Sequence, residues 1–110
     1  MVVDELTDYE IDRIFHALAD TTRRDIVART MRGDQSVSAL ARNYEMSFAA
    51  VQKHVAVLTS AGLVRKDRRG REQLVRAIPE TLQRAGELLE RYEALWCSRA
   101  AAIEAILASD

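Results

Sequence analysis

The last third of the chain is one unbroken stretch of helix-forming residues, and it limits the possible folds more than any other segment. After Pro79, which suits the first turn of a helix, the chain has no further proline and only one glycine. We therefore expect one helix over 80–107, about 28 residues and roughly 40 Å long. A chain of 110 residues is too small to cover a helix of that length from within.

An apolar stripe runs along this predicted helix. Its members recur at alternating steps of three and four, the a/d series of a heptad, and only Arg99 interrupts it. The expected cover is the same helix of a second copy, together with the first helix. The alternative is packing against residues 8–18 of the same chain alone. The predicted dimerisation residues are Leu82, Leu89, Tyr92, Trp96, Ile103 and Ile106.

Short amphipathic helices are expected in the first part of the chain. Thr7 and Glu10 form a capping-box pattern that begins a helix over 8–18, and Asp20 can cap a second helix ending near Gly33. Ser36 or Ser38 can cap a third. The residues expected on the inner faces are Ile11, Ile14, Phe15 and Leu18, then Ile26, Val27 and Met31, then Leu40, Ala41 and Tyr44.

The middle of the chain has the pattern of a helix-turn-helix followed by a wing. Two short helices over 38–44 and 47–61, which together make up the predicted 38–61 unit, are joined by a tight turn, and the second ends at Gly62. Residues 63–78 then alternate apolar and charged side chains around a central glycine, which predicts a two-stranded hairpin. The expected fold is mainly α with a small β-hairpin, a single winged helix-turn-helix domain over 1–110.

The second helix of this unit has one apolar and one open side. Val51, Val55 and Leu58 share a narrow sector that faces the core, which leaves the opposite side to read a ligand. Gln can make paired hydrogen bonds to adenine, and Lys can bind guanine or phosphate. His54 lies at the sector's edge and either packs or touches a phosphate. The predicted DNA contacts are Ser47, Phe48, Ala49, Gln52, Lys53 and His54 on this helix, and Arg68, Arg69 and Arg71 on the wing.

Positive charge is concentrated where these contacts lie. Residues 47–78 carry seven Lys and Arg against two acidic residues, a net charge of +5, although the whole chain has −1. Such a distribution is typical of a protein that binds a polyanion through one basic segment, while the rest of the chain is acidic. The alternatives are that the charges cluster by chance and that the arginines lie on a solvated strand face. For Arg65 and Arg76, contact with DNA and a solvated strand face are equally well supported.

The stretch from Ala17 to Ile78 resembles the ArsR/SmtB family of bacterial winged-helix repressors. "ALADTTRR" is similar to the family's Ala-Leu-Ala-Asp-Pro-Thr-Arg-Arg, with Thr21 in place of the proline. The family pattern of the reading helix matches Ser47, Val51, His54, Leu58, Gly62, Leu63 and Val64. The resemblance implies a homodimeric DNA-binding transcriptional regulator, usually a repressor, that reads DNA through residues 46–54. The C-terminal sequence is most similar in pattern to the metal-free SdpR-like subgroup.

Many members of that family sense metals, but this chain lacks the ligands. It has one cysteine and two histidines, His16 and His54, whereas zinc or a softer metal requires a cluster of thiolates or imidazoles. We expect no metal site and no cofactor. Cys97 is either a redox switch, which would make the protein a redox-responsive regulator, or a small apolar side chain at a packed interface.

Other functions are less well supported by the sequence. No grouping of nucleophile, base and acid and no phosphate-binding glycine loop is present, so we expect no enzyme. A winged helix that binds proteins instead of DNA is the remaining alternative. The N-terminus lacks a secretory pattern, no apolar run reaches about 18 residues, and the lone cysteine suits a reducing compartment. We therefore expect a cytoplasmic protein whose partners are double-stranded DNA and a second copy, while no effector is specified.

Overall fold

A computed structural model describes residues 6–109; residues 1–5 and 110, the two ends of the predicted domain and part of the acidic N-terminal segment, lie outside the described residues. The fold is mainly helical with a small antiparallel sheet, as predicted. The elements in chain order are α1 (Asp8–Leu18), α2 (Thr21–Arg32), β1 (Gln35–Ser36), α3 (Val37–Ala41), α4 (Phe48–Ser60), β2 (Val64–Arg69), β3 (Glu72–Ala77) and α5 (Pro79–Ala108).

Side-chain caps begin each of the first four helices. Thr7 and Glu10 form both bonds of a capping box, at 3.0 and 3.1 Å. Asp20, Ser36 and Ser47 each accept a hydrogen bond from the backbone N–H three residues further on. Of the two serines considered for α3, Ser36 is therefore the cap. These bonds satisfy amide groups that have no partner inside the helix.

The core collects at least one buried apolar side chain from every helix and from both hairpin strands. Its fully buried members are Ile14, Ala17, Ile26, Leu40, Val51, Val55, Leu58, Leu63, Val64 and Val75, and Ala85 of α5 is 5% exposed. The sector predicted for α4, Val51 with Val55 and Leu58, is thus buried. The open side of α4 is fixed by this packing, because a helix that buries one face must expose the other.

Two core predictions were wrong. Met31 is 40% exposed, because it lies about 140° around the helix from Ile26. Thr30 is buried in that region instead, and its hydroxyl donates to the carbonyls of Ile26 and Val27 at 3.0 Å. Phe15 is 39% exposed rather than inward. Tyr44 packs against the core as predicted, but it lies beyond α3, which ends at Ala41 and is shorter than predicted.

The sheet has three strands in the order β1-β3-β2, all antiparallel. In the hairpin, Arg69 lies opposite Glu72, and Gly70 at the tip has φ +63°, a conformation that glycine adopts without strain. β1 was not predicted. It has two residues, Gln35 and Ser36, which pair with Val75 and Leu74 and attach the hairpin to the segment before α3.

The end of α4, the wing and the start of α5 are bonded together. Gly62 has φ +75° and donates to the carbonyl of Thr59, while Leu63 donates to that of Leu58, both at 3.0 Å. This is a Schellman motif. The Thr81 hydroxyl donates to the Gly62 carbonyl at 2.6 Å, so the base of α5 is attached where α4 stops.

Beyond its first turns α5 extends away from the core. Thr81 and Ala85 are buried and Leu82 packs against the core, but residues 89–99 are exposed throughout. Leu82, predicted for the dimer, is thus partly used within the chain. Within residues 6–109 no helix has the length and apolar character needed to cross a membrane.

Candidate nucleic-acid interface

The open side of α4 presents small and polar side chains at its N-terminal end. Ala49, Gln52 and Lys53 are exposed, and Phe48 is 47% exposed. The hydroxyl of Ser47 is the cap, accepting from the Ala50 N–H at 3.1 Å. Small residues beside Gln52 allow another surface to approach the helix closely, and the exposed Gln52 and Lys53 can then make specific contacts.

The arginines of the hairpin fall into two groups. Arg65 and Arg76 lie opposite each other in the register, and the Asp67 carboxylate sits 3.3 and 3.4 Å from their Nε atoms. Arg76 also pairs with Asp34 at 3.1 Å. These ion pairs tie the wing to the loop before β1 and reduce the charge at its base.

The second group lies at the tip of the hairpin. Arg68, Arg69 and Arg71 are exposed, and no acidic side chain of residues 6–109 lies within ion-pair distance of them. Their guanidinium groups are therefore available to an external anion. The tip arginines thus differ from Arg65 and Arg76, which are held in ion pairs. For these two, the sequence had supported DNA contact and a solvated strand face equally.

A cleft of about 190 Å³ separates the start of α4 from the wing. It brings together predicted DNA contacts of two elements, Phe48 and Gln52 of α4 and Arg71 of the wing. Residues that were not predicted as DNA contacts complete its walls: Ser36, Val37, Ser38, Glu72 and Gln73. The serines were considered only as caps, and their place beside the wing follows from the pairing of β1 with β3, which no local pattern signals.

His54 lies on the other flank of α4, away from this cleft. Its side chain is 22% exposed, and its Nδ1 lies 3.2 Å from Nη1 of Arg23 and 3.9 Å from the Asp20 carboxylate. The hydrogen bond from the Arg23 backbone N–H, first among several effects, holds the pKa of Asp20 below its usual range. His54 thus contacts the α1–α2 corner, a partner 31 residues away in sequence.

A partly buried polar cluster lies beneath the turn between α3 and α4. The Tyr44 hydroxyl donates to the Asp25 carboxylate at 2.6 Å, and Arg29 Nε donates to the same oxygen at 2.7 Å. The Tyr44 bond, followed by the Arg29 bond, lowers the pKa of Asp25. Burial, followed by the bond to Asp25, raises the pKa of Tyr44 to about 12. This cluster fixes the helix-turn-helix against α2.

From Leu89 onwards, the apolar stripe of α5 is not covered by any other part of residues 6–109. Leu89, Tyr92 and Trp96 are between 52% and 63% exposed, and Ile106 is 72% exposed. Ile103 is 46% exposed, and the Arg99 guanidinium lies 5.9 Å from the centre of the Trp96 ring. A groove of about 440 Å³ beside α1 continues this apolar surface through Leu6, Ile11 and Leu88.

The potential metal ligands are scattered. Cys97 is exposed on α5, and in the described part of the chain no three His, Cys, Asp or Glu side chains are grouped so that they could hold a metal ion. His16 is exposed on α1, and its backbone carbonyl accepts a hydrogen bond from Arg23.

Comparison with known proteins places this architecture. No family model matches the chain. It shares 49% identity over 53 residues with the HTH-type transcriptional regulator Rv2034 of Mycobacterium tuberculosis, a match that spans 48% of this chain and 50% of that protein. The chain therefore matches about half the length of this curated relative.

Solved structures match over nearly the whole chain. An ArsR-like transcriptional regulator from Rhodococcus sp. RHA1 is 39% identical, with a TM-score of 0.79 over 93% of this chain and 96% of that one. The homodimeric winged helix-turn-helix DNA-binding domain Mb0332 of Mycobacterium bovis, a possible ArsR-family regulator, is 27% identical, with a TM-score of 0.60 over 90% and 91%. The winged helix-turn-helix fold agrees with the 39% identity to the Rhodococcus regulator over nearly the whole of both chains. The chain therefore belongs to the ArsR family of transcriptional regulators.

Proposed function

We propose that the protein is a homodimeric, sequence-specific repressor that binds an inverted-repeat operator in double-stranded DNA. The observation that carries this proposal is the cleft between α4 and the wing, where Gln52 and Arg71 line one surface. An exposed helix end with a hydrogen-bonding side chain, next to unpaired guanidinium groups, suits a groove edged by phosphates.

The two parts of this surface have different tasks. The start of α4 enters the major groove, where Gln52 and Lys53 contact base edges and Ala49 permits close approach. Ser47, Phe48 and His54 flank this contact. The wing tip, with Arg68, Arg69 and Arg71, binds phosphates or the narrow minor groove, which positions the protein without reading sequence directly.

The dimer follows from the exposed stripe on α5. Its aromatic and branched side chains form a row of exposed apolar residues, a feature typical of protein–protein contacts, and the same helix of a second copy is the cover that matches it along its length. The Mycobacterium bovis relative is a homodimer. Two reading helices related by a two-fold axis require half-sites about 10 bp, or a multiple of that, apart in an inverted repeat.

We propose further that metals do not control this repressor, and that it resembles the metal-free SdpR-like subgroup. The lone Cys97 and the separated histidines supply too few ligands for zinc. Micromolar zinc should leave the operator-binding curve in place, whereas stoichiometric release by metal would overturn this point. A redox-responsive regulator remains the second candidate, because Cys97 is exposed; oxidant-dependent release that Cys97→Ser abolishes would favour it.

The test begins with selection of bound genomic fragments, followed by fluorescence anisotropy on the selected operator and on random DNA. Gln52→Ala and Lys53→Ala should each cost about 1–3 kcal/mol on the operator and much less on random DNA. Gln83→Ala, the same type of residue exposed on α5, is the matched control and should change neither. Equal losses on both DNAs would mean that these side chains only contact phosphates.

Salt distinguishes this function from that of a protein-binding winged helix. Affinity for DNA should fall steeply with salt, because each neutralised phosphate releases counterions. A folded, dimeric wild type that binds no DNA at low salt would overturn the proposed function in favour of the protein-interaction alternative.

A further inference from the structure

Arg23 uses its whole guanidinium group to join three helices. Its Nε donates to the Ala17 carbonyl at 2.7 Å and its Nη2 to the His16 carbonyl at 3.1 Å, both at the C-terminal end of α1. The third direction points at α4, where Nη1 lies 3.2 Å from Nδ1 of His54. The guanidinium therefore has a fixed position on the α1–α2 corner, and the imidazole of α4 meets it there.

This contact determines where the proton of the neutral imidazole resides. A guanidinium can only donate hydrogen bonds, so Nδ1 of His54 must accept and the proton of the neutral ring is on Nε2. Nε2 makes no hydrogen bond within residues 6–109, and it is not among the buried polar atoms that lack a partner there. It is therefore a solvent-accessible N–H donor in the second turn of α4.

We propose that Arg23 is a positioning residue for DNA binding, which holds His54 as a neutral N–H donor to a DNA phosphate beside the recognition helix. The inference rests on the proposed DNA-binding function. His54 lies on the flank of α4 opposite the cleft with the wing, so its phosphate and those bound by the wing tip would lie on either side of the groove that α4 enters. Arg23 itself does not touch DNA.

The first test measures the tautomer in the free protein and needs no DNA. Long-range ¹H–¹⁵N spectra of the imidazoles at pH 8 should show His54 protonated at Nε2 and bare at Nδ1, with the assignment made by loss of the signals in His54→Asn. Arg23→Gln should give a mixture of tautomers. Arg24→Gln is the matched control, because Arg24 also donates to the end of α1, at the Leu18 carbonyl, but has no contact with His54. It should leave the spectrum unchanged, and a wild-type signal from the Nδ1–H tautomer would overturn the proposal.

The second test replaces His54 by two amide side chains. Asn can keep the acceptor near Arg23, and Gln can supply the outward donor. His54→Asn can keep an acceptor near Arg23 but cannot reach outward, so operator affinity should fall about three- to tenfold, as for one lost hydrogen bond. Random DNA should lose a similar factor. The salt slope should not change, because a neutral donor displaces no counterion. His54→Gln extends a donor towards the position of Nε2 and should recover most of the affinity.

The other outcomes distinguish a failure of the His54 phosphate contact from a failure of the proposed DNA-binding function. Wild-type affinity of His54→Asn for both DNAs would overturn the phosphate contact while leaving the proposed function intact. A wild type that binds no DNA would overturn the proposed function and the phosphate contact with it, although the spectra would still report whether Arg23 sets the tautomer.

Discussion

At the scale of single residues, one carboxylate decides which wing arginines are available to DNA. Asp67 holds Arg65 and Arg76, whereas Arg69 and Arg71 at the tip have no such partner among the described residues. Arg69→Ala and Arg71→Ala should each weaken binding to every sequence by a similar factor and reduce the salt slope by about one. Anisotropy titrations at several salt concentrations measure both quantities.

Arg65→Ala is the control for the tip variants. Its charge is already balanced by Asp67, so its removal should change the salt slope by less than either tip substitution. If a tip variant alters sequence preference and leaves the slope intact, the wing does not act as a phosphate or shape reader.

The Tyr44–Asp25 bond makes a second prediction at this scale. Removing one hydroxyl by Tyr44→Phe should lower the free energy of unfolding by about 1.5 kcal/mol at pH 7, because the acceptor is charged. Urea titrations followed by circular dichroism test this. Because the pKa of Asp25 is lowered in the fold, its contribution is present above the ordinary carboxyl range and is lost as the pH falls through the folded value. The difference between wild type and variant should therefore narrow in acid.

In alkali, the stability contribution of Tyr44 depends on pH in the opposite direction, because it is lost as the pH rises. The pKa of Tyr44 is raised from 10.0 to about 12, so its contribution is complete below pH 10 and is lost as the pH rises towards 12. Phenolate absorbance of the wild type should contain a component near pH 12 that Tyr44→Phe lacks. A Tyr44 component that titrates at the ordinary tyrosine pKa of 10.0 would contradict the burial and hydrogen bonding of this hydroxyl.

At the scale of elements, the junction after α4 depends on a backbone conformation that glycine allows. Gly62 has φ +75°, and an added Cβ would lie 3.6 Å from the Thr81 hydroxyl. Gly62→Ala should therefore destabilise the protein by about 1–2 kcal/mol through backbone strain. Gly86→Ala, in the middle of α5 with nothing within 4 Å of the new Cβ, should stabilise it by roughly 0.5–1 kcal/mol. Thermal melts of the two variants should shift in opposite directions, and a neutral Gly62→Ala would contradict the strain argument.

Local patterns were sufficient to predict most elements and the residues that start them. Ser47, Gly62 and Gly70 act within a few positions of themselves, so the reading helix and the hairpin could be placed from the sequence. What the sequence did not reveal depends mostly on distant partners: β1 exists only through its pairing with β3, and the contact of His54 with Arg23 spans 31 positions. The pairing of Asp67 with Arg76 likewise requires the strand register. The wrong prediction for Met31 is instead a local error in assigning the faces of α2.

At the scale of the whole molecule, α5 links the proposed dimer to DNA binding. Leu89→Glu with Trp96→Glu places charges in the centre of the apolar stripe, where burial without a partner is costly. The double variant should sediment as a monomer or a partly unfolded chain. It should lose operator affinity by roughly 100-fold or more, because two joined reading heads gain that much over one.

The matched control adds the same charge to the other side of the helix. Gln83 and Ala101 lie about 120–140° around the helix from Leu89 and Trp96, so Gln83→Glu with Ala101→Glu should leave both assembly and affinity near the wild-type values. A wild type that sediments as a monomer at micromolar concentration would contradict the dimer, as would full operator binding by a folded Leu89→Glu, Trp96→Glu variant.

The bond between Thr81 and Gly62 makes α5 a lever with its pivot at the end of the reading helix. With 30 residues the lever is about 45 Å long, so a tilt of about 5° at the pivot moves the far end by roughly 4 Å. Successive base pairs are only about 3.4 Å apart. In the proposed dimer, the converse should hold: a change of about 5° in the angle at which the two α5 helices cross, made by side chains far from any base, should change the distance between the two reading helices by about the rise of one base pair.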